Sequence, residues 1–153
     1  MEIEIIKVQT LDTSEDSTRH FGILLKKIQA SIHMLHWYAG NYNVHKILGK
    51  LYEELDELFD KLQEEIIGTA KIQGSVFPSF TDNLDIDELN SSIKTPEEVI
   101  GYYKKINDLV QETLTSLEFN NYVTTVKSGI TNTKEDIITL FNRTNYLLSM
   151  VNL

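Results

Sequence analysis

The chain predicts an all-α protein: a four-helix bundle running up-down-down-up, with one long crossover between its second and third helices. Three observations predict it. Apolar residues recur at three- and four-residue steps over four long stretches, the mark of amphipathic helices. A segment of about twenty residues without that period, 74–94, separates the second stretch from the third. The other two connections are short, so the helices they join run antiparallel, and the long one lets the chain return along the bundle.

The elements follow in order. Residues 1–12 read as an extended N-terminal arm, with Ile3, Ile5 and Val8 loosely alternating, and 13–153 as one helical domain. The first helix starts near Ser14 and carries Phe21, Leu24, Leu25, Ile28, Ile32 and Leu35 on one stripe. Gly40-Asn41-Tyr42-Asn43 is a turn signal that ends it. The second helix spans about 44–72, with Leu48, Leu51, Leu55, Leu58, Leu62 and Ile66 facing inward and charged residues opposite. Gly68 and Gly74 predict fraying or a kink in its last turns. The crossover holds Gly74, Pro78 and the run Thr81–Asp85, with a helical turn expected around Asp85–Leu89. Thr95, Pro96 and Glu98 then form a helix start: a capping hydroxyl, a proline at the first position and a glutamate three residues after the cap. The third stripe is Val99, Tyr103, Ile106, Val110, Leu114 and Leu117. Asn120-Asn121 and Ser128-Gly129 mark the next connection, and Thr133 with Asp136 opens a last helix whose Ile137, Phe141, Leu148 and Val151 face inward.

Composition excludes several kinds of chemistry. With no cysteine among 153 residues, disulfides, iron–sulfur clusters, thiolate zinc sites and cysteine nucleophiles are ruled out. The start of the chain has neither the basic flank nor the apolar run of a signal peptide, and no stretch approaches the ~20 apolar residues of a membrane span. The expectation is therefore a cytoplasmic protein with no membrane partner. Net charge is −9, and the fourteen Lys and Arg form no stripe, which disfavours nucleic acid and favours a cation.

The chemistry concentrates between His33 and Glu65. His33, His36 and His45 lie within thirteen residues, across the first interhelical turn, and Asp60 and Glu64 follow one helical turn apart. Imidazole nitrogen and carboxylate oxygen together suit iron or zinc. At 100° per residue, His45 and Asp56 lie roughly 80–100° from the centre of the leucine stripe, and Asp60 and Glu64 roughly 145–180° away. These two carboxylates thus point away from their own core. His45 and Asp60 are also roughly 22 Å apart along one helix at 1.5 Å per residue, far beyond metal–ligand bonds of about 2 Å. They can share an ion only where two copies pack their second helices antiparallel, which makes the protein a two-fold dimer at least. An intrachain di-iron site would need Glu-x-x-His motifs, and no histidine here has a glutamate three residues before it.

The run His36-Trp37-Tyr38, His45 and Asp60-x-x-x-Glu64 resembles the ferroxidase signature of the Dps mini-ferritins, a branch of the ferritin-like proteins. The Leu35-His36-Trp37, His45-Lys46, Leu51-Tyr52 and Tyr146-Leu147-Leu148 segments are similar to those of an uncharacterised ferritin-like family of tailed bacteriophages. The mini-ferritins separate their two histidines by twelve residues; His36 and His45 are nine apart, and His33 has the twelve-residue spacing without the tryptophan after it. The resemblance covers about 33–67. It implies that His36 and His45 of one subunit, with His33 as substitute, and Asp60 and Glu64 of another bind iron, with zinc as the alternative. Asp56 and Trp37 would stand behind these ligands. It implies Fe(II) oxidation and storage in a homo-oligomer of two-fold dimers, extendable to a closed shell, in a host cytoplasm if phage-encoded. The family's basic DNA-binding tail is missing here.

Plainer readings accompany these. Seven carboxylates between Glu53 and Glu65 against the single Lys61 also make a solvated acidic face, and His36 also makes a packed histidine bonded to a backbone carbonyl. His20 reads as surface, and the seven tyrosines as core edge and interface. Asp82, Asp85 and Asp87 lack the glycine and closing glutamate of a calcium loop. The rival to an iron protein is a structural module built on the same bundle with a degenerate, metal-free site.

Overall fold

A computed structural model describes residues 10–11, 15–70, 93–115, 118–119 and 124–153. Helices α1 (Glu15–Trp37), α2 (Tyr42–Ala70), α3 (Pro96–Thr115) and α4 (Thr124–Ser149) account for nearly all of them. Two-residue strands β1 (Thr10–Leu11) and β2 (Glu118–Phe119) pair in parallel, which ties the chain before α1 to the connection before α4. The remaining expectations for the arm, for the 74–94 crossover with its helical turn at Asp85–Leu89, and for Leu117 and Asn120-Asn121 fall largely or wholly outside the described residues.

Packing order and direction fix the topology. α1 lies against α2 and α3, and α4 lies against the same two. His36 meets Gly49 while Gln29 bonds Asp56, so α1 and α2 are antiparallel. Gly40, just after α1, touches Pro96 at the start of α3, while Phe21 and Leu25 face Val110 and Leu114 near its end. Glu65 meets Thr133 and Glu54 pairs with Arg143, which runs α4 against α2. The bundle is up-down-down-up, with consecutive α2 and α3 parallel and diagonal to each other.

The apolar stripes form one core. Phe21, Leu24, Ile32, Leu35, Leu48, Leu55, Leu62, Ile106 and Ile137 are all fully or almost fully buried, and burying a side chain of this kind stabilises by about 1.5–3 kcal/mol. Val44, Phe59, Tyr102, Ile130 and Leu140 join them. The start of α3 is capped as its residues dictate: the Thr95 hydroxyl accepts from the Glu98 N–H and donates to the Glu98 carboxylate, both at 3.2 Å. Thr95→Ala should cost about 1 kcal/mol, read as a lower urea midpoint.

The last helix departs from expectation. It begins at Thr124, so Ser128-Gly129 and Thr133 lie inside it. The reason is tertiary. Thr133 is fully buried, and its hydroxyl donates to Glu65 of α2 at 2.6 Å. A Cβ on Gly129 would stand 3.2 Å from the other oxygen of the same carboxylate. Glycine and threonine here make room for Glu65 and bond it, and do not break or cap a helix. Thr133→Val should cost about 1.5 kcal/mol, the worth of a hydrogen bond to a charged acceptor, measured by urea unfolding.

Tyr103 is buried among the helices, its ring parallel to Phe141 at 6.1 Å and its hydroxyl donating to the Phe141 carbonyl at 2.6 Å. Burial holds its phenol far above the ordinary tyrosine range, an effect that the neighbouring Thr144 hydroxyl only partly offsets. The folded-state value lies above the unfolded one, so Tyr103 contributes stability in full below about pH 10, the unfolded value, and loses it as the pH rises further. Stability should fall above that pH, and Tyr103→Phe should remove this part of the alkaline loss in pH-resolved urea titrations.

Candidate metal centre

The centre is built from the turn between α1 and α2. Tyr38 N–H closes the last turn of α1 on Met34, and Gly40 follows in the left-handed region at φ 67°, a conformation that glycine adopts without a side-chain penalty. Asn41 then caps α2: its side-chain oxygen accepts from the N–H groups of Asn43 and Val44 at 2.9 and 3.2 Å. This short, doubly fixed turn sets His36 in the last turn of one helix opposite His45 in the first turns of the next.

The two rings stack, with centroids 3.8 Å apart and planes within 20°. Each is tied to the other's backbone: His36 Nδ1 lies 2.8 Å from the His45 carbonyl oxygen, and His45 Nδ1 lies 2.9 Å from that of His36. A carbonyl only accepts, so both Nδ1 atoms carry protons, and it is Nε2 of each ring that is left to bind an outside partner when the ring is neutral. Backbone bonds of this kind orient imidazole ligands in metal proteins. Gly49, one turn after His45, completes the seat. A Cβ there would stand 2.7 Å from His36 Cε1 and 3.0 Å from its Nδ1, so only glycine lets the ring lie against α2.

His33 is engaged elsewhere. Its ring stacks on Tyr52 at 3.9 Å, with Trp37 at 4.4 Å and His36 at 6.3 Å. His45, His36, His33 and Tyr52 thus form a column of rings along the α1–α2 groove, and His36 is the histidine brought against His45. Trp37 flanks the column and is 65% exposed.

The carboxylates stand apart from it. Asp60 and Glu64 are exposed on the face of α2 turned away from the core, and Glu64 borders an open depression with Lys61, Glu65 and Asn132. Asp56 accepts a hydrogen bond from Gln29 of α1. Among the described residues, no three histidine, aspartate or glutamate side chains of one copy gather into a metal-holding group. What one chain presents is two halves: a pair of oriented imidazoles near the α1–α2 turn, and a pair of outward carboxylates further along α2. Imidazole nitrogen and carboxylate oxygen are both donor types that iron and zinc accept.

Sequence reasoning missed Gly49 and the role of Tyr52 beneath His33. A glycine inside an unbroken leucine-stripe helix, four residues after a histidine, was the available signal for the first. Among the described residues no helix is long and apolar enough to cross a membrane.

Fold and centre together define an all-α, one-crossover helical bundle with a histidine pair clasped across its first turn. The chain belongs to a family of unknown function, DUF5856, whose profile matches residues 36–148 and so includes His36, His45, Gly49, Asp60 and Glu64. No curated protein and no solved structure matches it.

Proposed function

We propose that this protein binds iron between two copies of itself and oxidises it there, as a Dps-like member of the ferritin-like proteins. His36 and His45 of one copy hold Fe(II) through Nε2. Asp60 and Glu64 of a second copy, packed antiparallel along α2, complete the set and favour Fe(III). Oxygen or peroxide takes the electron that each Fe(II) releases, and the ferric product is stored or rendered harmless. The observation that carries this reading is the reciprocal clasp of the two histidines, which engages both Nδ1 atoms with backbone carbonyls and brings the two rings together, so that Nε2 is the nitrogen each has for a metal. The outward face of α2 supports it: Lys46 and Lys50 outnumber Glu53 in its first half, and Glu57, Asp60 and Glu64 outnumber Lys61 in its second. Two antiparallel copies therefore set the basic half against the acidic half twice.

Fe(II) oxidation, followed by optical absorption on the purified protein, tests it. The expected result is oxidation well above the rate in buffer, lost in Asp60→Asn/Glu64→Gln. A wild-type rate equal to buffer, with no iron retained, overturns it. A second reading, a metal-free structural module, is favoured by the bond of His36 to the His45 carbonyl, which a packed histidine makes without any metal.

A further inference from the structure

Among the described residues, the exposed large apolar side chains other than the final Leu153 lie where α1 and α4 end and α2 begins. Trp37 and Tyr38 close α1, Tyr42 opens α2, and Tyr146, Leu147 and Met150 close α4. All six lie at one end of the bundle, Trp37 and Tyr38 on the α1 side of α2 and Tyr146, Leu147 and Met150 on its α4 side. The α2–α4 pairing seen at Glu54 and Arg143, continued by one and two helical turns, brings Leu147 beside Lys50 and Met150 beside Lys46. Lys46 itself sits 5.4 Å over the Tyr42 ring. Tyr42, Tyr146 and Met150 are 72%, 60% and 67% exposed, values that surface packing within one copy does not reduce.

Size and charge say what covers it. At 150–250 Å² for a whole aromatic side chain, the six residues expose on the order of 700 Å². That total, tyrosine hydroxyls included, approaches the roughly 800 Å² that each partner gives a standard interface. The chain as a whole carries −9, so two copies repel over most of their surface. The stretches that build this end are the exception: residues 17–52 and 137–153 contain no aspartate or glutamate. The acids that flank it are Glu53 and Glu54 further along α2, Glu54 paired with Arg143, and Glu97 and Glu98 at the start of α3. This is where an acidic protein can meet its own copy with least repulsion and most apolar burial.

We propose that this end of the bundle is an interface with a second copy of the chain. It forms without metal and needs neither Asp60 nor Glu64; it borders the α1–α2 turn with its histidines, so measurement in EDTA and the Asp60→Asn/Glu64→Gln variant distinguish its failure from that of the iron reading.

Light scattering on the full chain after gel filtration in EDTA tests it. The wild type should run at no less than twice the chain mass of 17.6 kDa. Tyr42→Ser/Tyr146→Ser/Met150→Ser should fall to the single-chain mass, with its helical circular dichroism unchanged. Tyr42→Glu, a single exposed change that leaves the core untouched, should weaken association at least tenfold and serves if the triple variant misfolds. Asp60→Asn/Glu64→Gln should associate like the wild type. A wild type at single-chain mass up to its solubility limit overturns the proposal and turns the surface toward a different molecule. So does a triple serine variant that associates as tightly as the wild type.

Discussion

Gly49→Ala is expected to lower metal affinity about 10- to 100-fold, the usual range for losing a group that orients an imidazole ligand, while leaving stability almost unchanged. The new Cβ would stand 2.7 Å from His36 Cε1, closer than any real contact, so the ring must leave its seat. It then loses its 2.8 Å bond to the His45 carbonyl and its stack on His45. A hydrogen bond of this kind contributes about 1 kcal/mol. Against that, alanine is better than glycine inside a helix by about 0.8–1.0 kcal/mol. The two effects nearly cancel in folding and do not cancel at the metal. Calorimetric titration with Zn(II) or anaerobic Fe(II), beside urea unfolding of the same variant, separates them. A Gly49→Ala protein that binds metal like the wild type would show that the seat of His36 is irrelevant to the centre.

Much of the bundle was legible because helical burial leaves a periodic record. The leucines of α2 and the Phe21–Leu35 stripe mark their faces without reference to any other element. Thr95-Pro96-Glu98 likewise announces a helix start from within four residues. The failures share a cause. Thr133 and Gly129 carry the local marks of a cap and a turn, yet their roles are set by Glu65, far away in sequence on α2. Gly49 shows the same limit, since its reason is a ring on the neighbouring helix. Of the candidate centre, the outward aim of Asp60 and Glu64 was readable from helical phase, while the choice of His36 over His33 came from the resemblance alone until the folded turn set His36 against His45. The reciprocal Nδ1 bonds were not, because they depend on two backbone carbonyls that only the folded turn brings within reach.

The second large effect is the loss expected on removing either half of the centre. His45→Ala deletes one imidazole together with its bond to the His36 carbonyl, and Asp60→Asn/Glu64→Gln removes both negative oxygens without changing shape. Each change touches exposed side chains, so the folded bundle should persist while iron oxidation disappears. Single losses alone do not show that the two halves meet between copies.

Mixing does. If the centre is shared, a copy with His45→Ala still offers carboxylates, and a copy with Asp60→Asn/Glu64→Gln still offers histidines. In a two-fold dimer of one of each, one of the two centres is whole. Random pairing of equal amounts makes half the dimers hybrid, so about a quarter of the wild-type centres should return. The measurement is Fe(II) oxidation by the two inactive variants co-refolded at equal amounts, against each refolded alone. Recovery of about a quarter of the wild-type activity is the predicted result. A hybrid population, verified by differently tagged chains, that stays as inactive as its parents would contradict an iron centre built between two copies.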